Sequence, residues 1–163
     1  MGRALKLAPG SRLFTPRDLE NSKGALLLDT HIWIWFLEGD TSRIHPAAVQ
    51  LLERCGGEGN LIVSDISFWE VATKAAKGKL TLSVDATIWL DRARLAPGVR
   101  CLPLDRETLI LSTRLAGTAH NDPADRMLLA IAQLNNVPLV TTDSLIIDYA
   151  RSHAGTPVVD VRR

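Results

Sequence analysis

Short strand-like runs, each set off from the next by a helix-length segment, constrain this chain more than any other feature. Residues 25–28 (ALLL), 61–63 (LIV), 100–102 (RCL), 138–141 (PLVT) and 157–161 (PVVDV) are three to five residues long. Residues 31–38, 46–54, 66–77, 84–95, 106–117, 123–136 and 144–153 read as helices between and after them. Pro46 at a first helical position, Ser64 or Asp65 as a cap, and Gly39 and Gly78 as stops mark several of the boundaries. Short apolar strands alternating with helices cannot pair as hairpins. They predict an α/β domain in three layers, with a short, mostly parallel five-stranded sheet flanked by helices.

With 163 residues and 46% hydrophobic content, the chain suits one compact domain. Its formal charge of +1 argues against a purely electrostatic nucleic-acid binder, which would be strongly basic. It leaves room for an enzyme that grips a short piece of nucleic acid. Cys55 and Cys101 form no CxxC pair and are expected as small buried residues, which fits a reducing cytoplasm. His31, His45, His120 and His153 show no zinc spacing. No apolar run approaches the ~20 residues of a membrane span. Residues 1–23 lack the apolar centre of a signal peptide and read as a polar leader, flexible or outside the native start, ahead of a domain at 24–163.

The acids are placed with a pattern. In a parallel sheet, ligands bind beyond the carboxyl ends of the strands. Asp29 and Asp143 directly follow strand-like runs, Glu70 lies early in the helix after residues 61–63, and Asp125 sits in the first turn of a helix capped by Asp122. Each has an ordinary reading taken alone, as a cap, a helix-dipole partner or an exposed helical residue. Jointly they can meet at one end of the sheet. Two carboxylates ~5 Å apart repel by ~3 kcal/mol at an effective dielectric of ~20, so four together need a counter-charge. An all-oxygen set selects a hard cation, Mg²⁺ or Mn²⁺, which commonly serves phosphodiester chemistry.

The segments LLLDTHIWIW, SDISFWEVATKAAKGKL, HNDPADRMLLAIAQ and LVTTDSLI together resemble the PIN-domain ribonucleases, and closely the VapC-type toxins of bacterial toxin–antitoxin pairs. The resemblance implies a PIN-like fold from about Leu26 onward and a Mg²⁺- or Mn²⁺-dependent endoribonuclease. Its acidic residues would be Asp29, Glu70, Asp125 and Asp143. It also implies a homodimer and a VapB-like antitoxin partner, for which Trp33, Trp35, Phe36, Trp69 and Trp89 are candidate contacts, at least half of them expected in the core. The leader departs from the family pattern, in which the Asp29-type strand lies almost at the N-terminus. Arg126, Lys74, Lys77 and Lys79 are candidates for the RNA phosphates, or solvated helix faces. Two other readings stand beside the ribonuclease: a catalytically silent binding module, and a phosphatase with Asp29 as nucleophile. The second normally wants another acid two residues on, where this chain has His31.

Overall fold

A computed structural model describes residues 13–117 and 121–163 of the chain. Residues 1–12 of the leader and His120 lie outside the described residues. In chain order the elements are β1 (Leu13–Phe14), β2 (Leu26–Leu28), α1 (Thr30–Glu38), α2 (Pro46–Gly57), β3 (Leu61–Ser64), α3 (Asp65–Ala76), α4 (Ala86–Arg94) and β4 (Val99–Leu102). They continue with α5 (Arg106–Ser112), α6 (Pro123–Asn135), β5 (Leu139–Thr141), α7 (Ser144–Ser152) and β6 (Val158–Asp160). The sheet runs β1-β6-β5-β2-β3-β4, and every pairing is parallel.

The sheet therefore has six strands, one more than the five expected. The additional strand, β1, comes from inside the polar leader, where Leu13 pairs with Val158 and Phe14 with Val159. Two apolar residues among Arg, Ser, Thr and Pro carry no periodic signal; the pairing with β6 makes them a strand. Beyond β1, residues 15–22 lie against α2. Leu19 is buried, and Arg54 donates from Nη1 to the Ser22 carbonyl and from Nη2 to that of Leu19, at 2.7 and 2.9 Å.

Alternation along the strands divides the interior in two. Leu26 and Leu28 of β2 face a core that includes Ile32 and Trp33 of α1, Leu51 and Leu52 of α2, and Trp89 of α4. Leu27 faces the other, formed with Leu128, Leu129 and Ile131 of α6 and Ile146 and Ile147 of α7. Helices thus cover both faces, which explains why the strands read as unbroken apolar runs. The expectation for the cysteines is met by Cys55, which is buried, and corrected at Cys101, which is exposed. Cys101 lies on the edge strand β4, where less covers the sheet. Trp33 and Trp89 are in the core, Trp35 and Phe36 pack partly against it, and Trp69 is 57% exposed.

Two features hold the helices that carry the candidate site. The Trp33 ring lies 4.9 Å from that of Phe68 and 5.0 Å from that of Trp89, so α1 is keyed against α3 and α4. At the far end of α1, Glu38 Oε1 accepts from Trp89 Nε1 at 2.6 Å and from Ser83 Oγ at 2.8 Å. The second feature is backbone-on-backbone packing. Gly98 has φ +81°, and a Cβ there would stand 2.0 Å from the Gly56 carbonyl oxygen. The same residue's carbonyl accepts the Leu61 N–H, tying the entry of β4 to β3. Gly98→Ala is expected to cost roughly 3 kcal/mol through left-handed strain and overlap. A lowered denaturation midpoint at an unchanged m-value would show it.

Candidate active site

Asp29, Asp125 and Asp143 are delivered by strand ends or helix starts, and Glu70 by the middle of α3. Asp29 immediately follows β2 and occupies the N-cap position of α1, yet its side chain caps nothing. Instead Oδ2 accepts from Thr141 Oγ1, at the end of β5, at 2.6 Å. Asp143 begins α7 and does cap it, with Oδ1 accepting from Leu145 N and Ile146 N at 2.8 and 3.0 Å. Its own N–H donates to Thr141 Oγ1 at 2.9 Å. One threonine hydroxyl therefore links two of the acids across neighbouring strands. Glu70 points inward from α3 and is 7% exposed. Asp125 stands in the first turn of α6, whose cap is Asp122 through Ala124 N at 2.8 Å.

Two of the four acids respond to the charge of the others. Burial pushes the Asp29 carboxyl up, as do Glu70 and Asp143, while Thr141 and His31 pull it back. Asp125 is pushed up to about 8, first by burial and then by Asp29, Asp122, Glu70 and Asp143. One ammonium softens the charge directly. Lys74 Nζ pairs with Glu70 Oε2 at 2.5 Å and approaches His31 Nε2 at 3.5 Å. Glu70 Oε1 is buried with no hydrogen-bond partner. A buried carboxylate oxygen without a donor is costly, and the neighbouring acids cannot supply one while ionised.

That arrangement suits a hard divalent cation: the donors are oxygens, the local charge is negative, and one oxygen is left unsatisfied. Among the described residues, no three His, Cys, Asp or Glu side chains are drawn together closely enough to enclose an ion as they stand. Two of the acids are held by other partners, Glu70 by Lys74 and Asp143 by the start of α7.

The candidates for substrate contact divide. Lys74 faces the acids through Glu70, whereas Lys77 and Lys79 are exposed. Arg126 is anchored, its Nε donating to the Ser112 carbonyl at 2.7 Å. Sequence reasoning missed Thr141 and His31. The threonine was only a residue of a strand-like run, and its role depends on β2 and β5 being neighbours. His31 had a better signal, one turn of helix from Trp35 and two residues beyond Asp29, but nothing local indicates Lys74 across the helix pair.

A PIN-domain family model matches residues 26–152, most of the chain and a span in which all four acids lie. The chain belongs to the PIN-domain family. This PIN domain is 30% identical over 128 residues to Ribonuclease VapC22 of Mycobacterium tuberculosis, an alignment covering 78% of this chain and 91% of the relative. Among solved structures, the DNA-bound VapBC of Salmonella typhimurium matches with a TM-score of 0.60 at 17% identity, covering 84% of this chain and 98% of that one. VapBC2 of Rickettsia felis, bound to a fragment of promoter DNA, gives a TM-score of 0.60 at 13% identity with the same coverage. FitAcB of Neisseria gonorrhoeae gives 0.56 at 18%, covering 83% and 96%. These likenesses show the fold of the PIN domain.

The raised carboxyls set the pH response of the metal-free protein. Asp125 has a folded-state value of about 8 against an ordinary 3.8, so the folded state holds an extra proton between those values. Its contribution is fully present below about pH 4 and is lost as pH rises towards 8; Asp29 acts in the same direction. The acids with lowered values, Asp18, Asp105 and Asp160, titrate below this window. Denaturation in EDTA is expected to show stability falling from pH 5 to pH 8, and Asp125→Asn to flatten that slope.

Proposed function

We propose that this PIN domain is an endoribonuclease of the VapC toxin type, acting in the cytoplasm with Mg²⁺ or Mn²⁺. The observation that carries the reading is the convergence of Asp29, Glu70, Asp125 and Asp143: Glu70 and Asp143 raise the proton affinity of Asp29, these three raise that of Asp125, and one Glu70 oxygen is left unsatisfied. Similarity to a protein named as a ribonuclease, over most of both chains, supports it. Residues 24–163 would form the nuclease domain, with residues 13–22 lying against β6 and α2.

Asp29, Glu70, Asp125 and Asp143 would hold the ion. When bound, it supplies charge neutralisation and Lewis-acid activation for phosphodiester hydrolysis. Thr141 fixes the rotamer of Asp29 and the start of α7 together. Lys74 orients Glu70, and with Arg126 it offers positive charge to the phosphates on either side of the cut. Water adds to phosphorus, the P–O3′ bond breaks, and the products carry a 5′-phosphate and a 3′-hydroxyl. The phosphatase reading loses ground, because the position that would need a second acid holds His31 beside Lys74.

VapBC complexes among the structural matches support a VapB-like antitoxin as partner; the homodimer is what the family resemblance implies. Trp69, exposed on the same helix as Glu70, is a natural contact for it.

Purified, partner-free protein incubated with total bacterial RNA is expected to cut at discrete sites with Mg²⁺ or Mn²⁺ and not with EDTA. Asp29→Asn should lower the rate by more than ~100-fold while the protein stays folded. Thr141→Val should fall in the ~10–100-fold range typical of a lost supporting group. Sequencing the new 5′ ends names the target. Undiminished cutting by Asp29→Asn would remove that residue from the mechanism, and cutting in EDTA would remove the ion.

A further inference from the structure

A second feature shares the carboxyl edge of the sheet with the acids, and its charge is opposite. A cavity of about 640 Å³ lies where β1 and β6 end, lined by Thr15, Arg17, His45, Asp160, Arg162 and Arg163 among others. Its register with the acidic site can be counted. Thr141 pairs with Asp160, so Arg162 follows β6 by the same two residues by which Asp143 follows β5. Phe14 pairs with Val159, which places Arg17 three residues past its partner pair, as Arg162 is past Val159. Neighbouring strands are ~4.8 Å apart. The cavity therefore opens roughly one to two strand spacings from the Asp143 position, on the same edge.

The lining has a surplus of donors. Asp160 is the one acid, and its carboxylate is already taken by Arg162 through Nε and Nη2. Arg163 Nη1 donates to the Ser42 carbonyl at 2.8 Å. Arg17 is exposed and has no ion-pair partner among the described residues. His45 Nδ1 accepts the Ala47 N–H at 3.1 Å, which leaves the proton of a neutral ring on Nε2 as a further donor. The surplus comes from the turn after β1 and the start of α2.

We infer that this cavity is an anion subsite that holds a backbone phosphate of the RNA beside the cut, with Arg17 as its principal contact. The inference rests on the ribonuclease reading. An RNA strand entering a cluster of four carboxylates is repelled by them, and a basic cavity one or two strands along the same edge supplies the compensating attraction. Guanidinium groups suit phosphate oxygens in both geometry and charge. An acidic protein segment would meet the same charges, but nothing would favour its lying in line with the catalytic edge.

The test uses the full chain in the uncleaving Asp29→Asn background, with a labelled single-stranded RNA and anisotropy read over a salt series. Arg17→Glu is the probe, and Arg92→Glu, exposed on α4, is the control with the same charge change. Arg17→Glu is expected to weaken binding at least tenfold at an unchanged melting temperature. Its plot of log K against log salt should be shallower by about 0.7 for each phosphate that the variant no longer neutralises. Arg92→Glu should change neither. Equal weakening in both variants, or none in Arg17→Glu, would overturn the subsite and leave the ribonuclease reading standing, provided the wild type cuts RNA. Loss of binding to an oligo-glutamate peptide with RNA binding intact would overturn it in favour of a protein partner. A wild-type protein that neither binds nor cuts RNA would overturn both.

Discussion

Like-charge repulsion among buried and half-buried carboxylates is the constraint around which this molecule is arranged. A parallel sheet collects its strand ends at one edge, and here that edge receives Asp29 from β2, Asp143 after β5, and Glu70 and Asp125 from flanking helices. Left to themselves these groups would swing outward or take up protons, and Asp125 does retain its proton to about pH 8. Everything nearby opposes the outward swing. Thr141 clasps Asp29, Lys74 draws on Glu70, and α7 fixes Asp143 by its own first amides. Free energy that a purely structural domain would keep as stability is held here as crowded like charge, a cost that functional sites commonly carry.

The rest of the fold makes that storage possible. α1 starts at Asp29 and would be free to tilt if only its first turn were held. Its body is instead locked by Trp33 against Phe68 and Trp89, and its end by Glu38 on the indole of Trp89. Because Phe68 and Glu70 belong to the same helix, the aromatic contact also sets where Glu70 comes in. One packed cluster on one face of the sheet thereby positions two acids from different elements.

How much of this could be read from the chain follows from how local each signal is. The parallel α/β layout was legible because helix caps and apolar runs are properties of a few consecutive residues; Asp122, Pro123 and Asp125 announce α6 almost by themselves. The four acids were legible because strand ends share an edge whatever the strand order. What escaped depends on neighbours in space. β1 is two residues whose strand pairing is with β6, more than a hundred residues away. Thr141 matters because β5 adjoins β2. Cys101 was expected inside and lies outside because β4 ends the sheet. The Glu70–Lys74 pair is an ordinary four-residue spacing on a helix, and burial alone gives it weight.

The two borders of the sheet have a bearing on how other chains can approach. A strand at a border offers bare amides and carbonyls on which a foreign strand can build, and proteins often blunt such borders. On one side the described residues end in β1, only two residues long and stopped by Pro16, and it covers the apolar run of β6. On the other, β4 turns Arg100 and Cys101 to solvent. Neither is a good template for strand addition. Assembly with this molecule is thereby steered towards its helical surfaces and its carboxyl edge, and fibre-like growth through the sheet is discouraged.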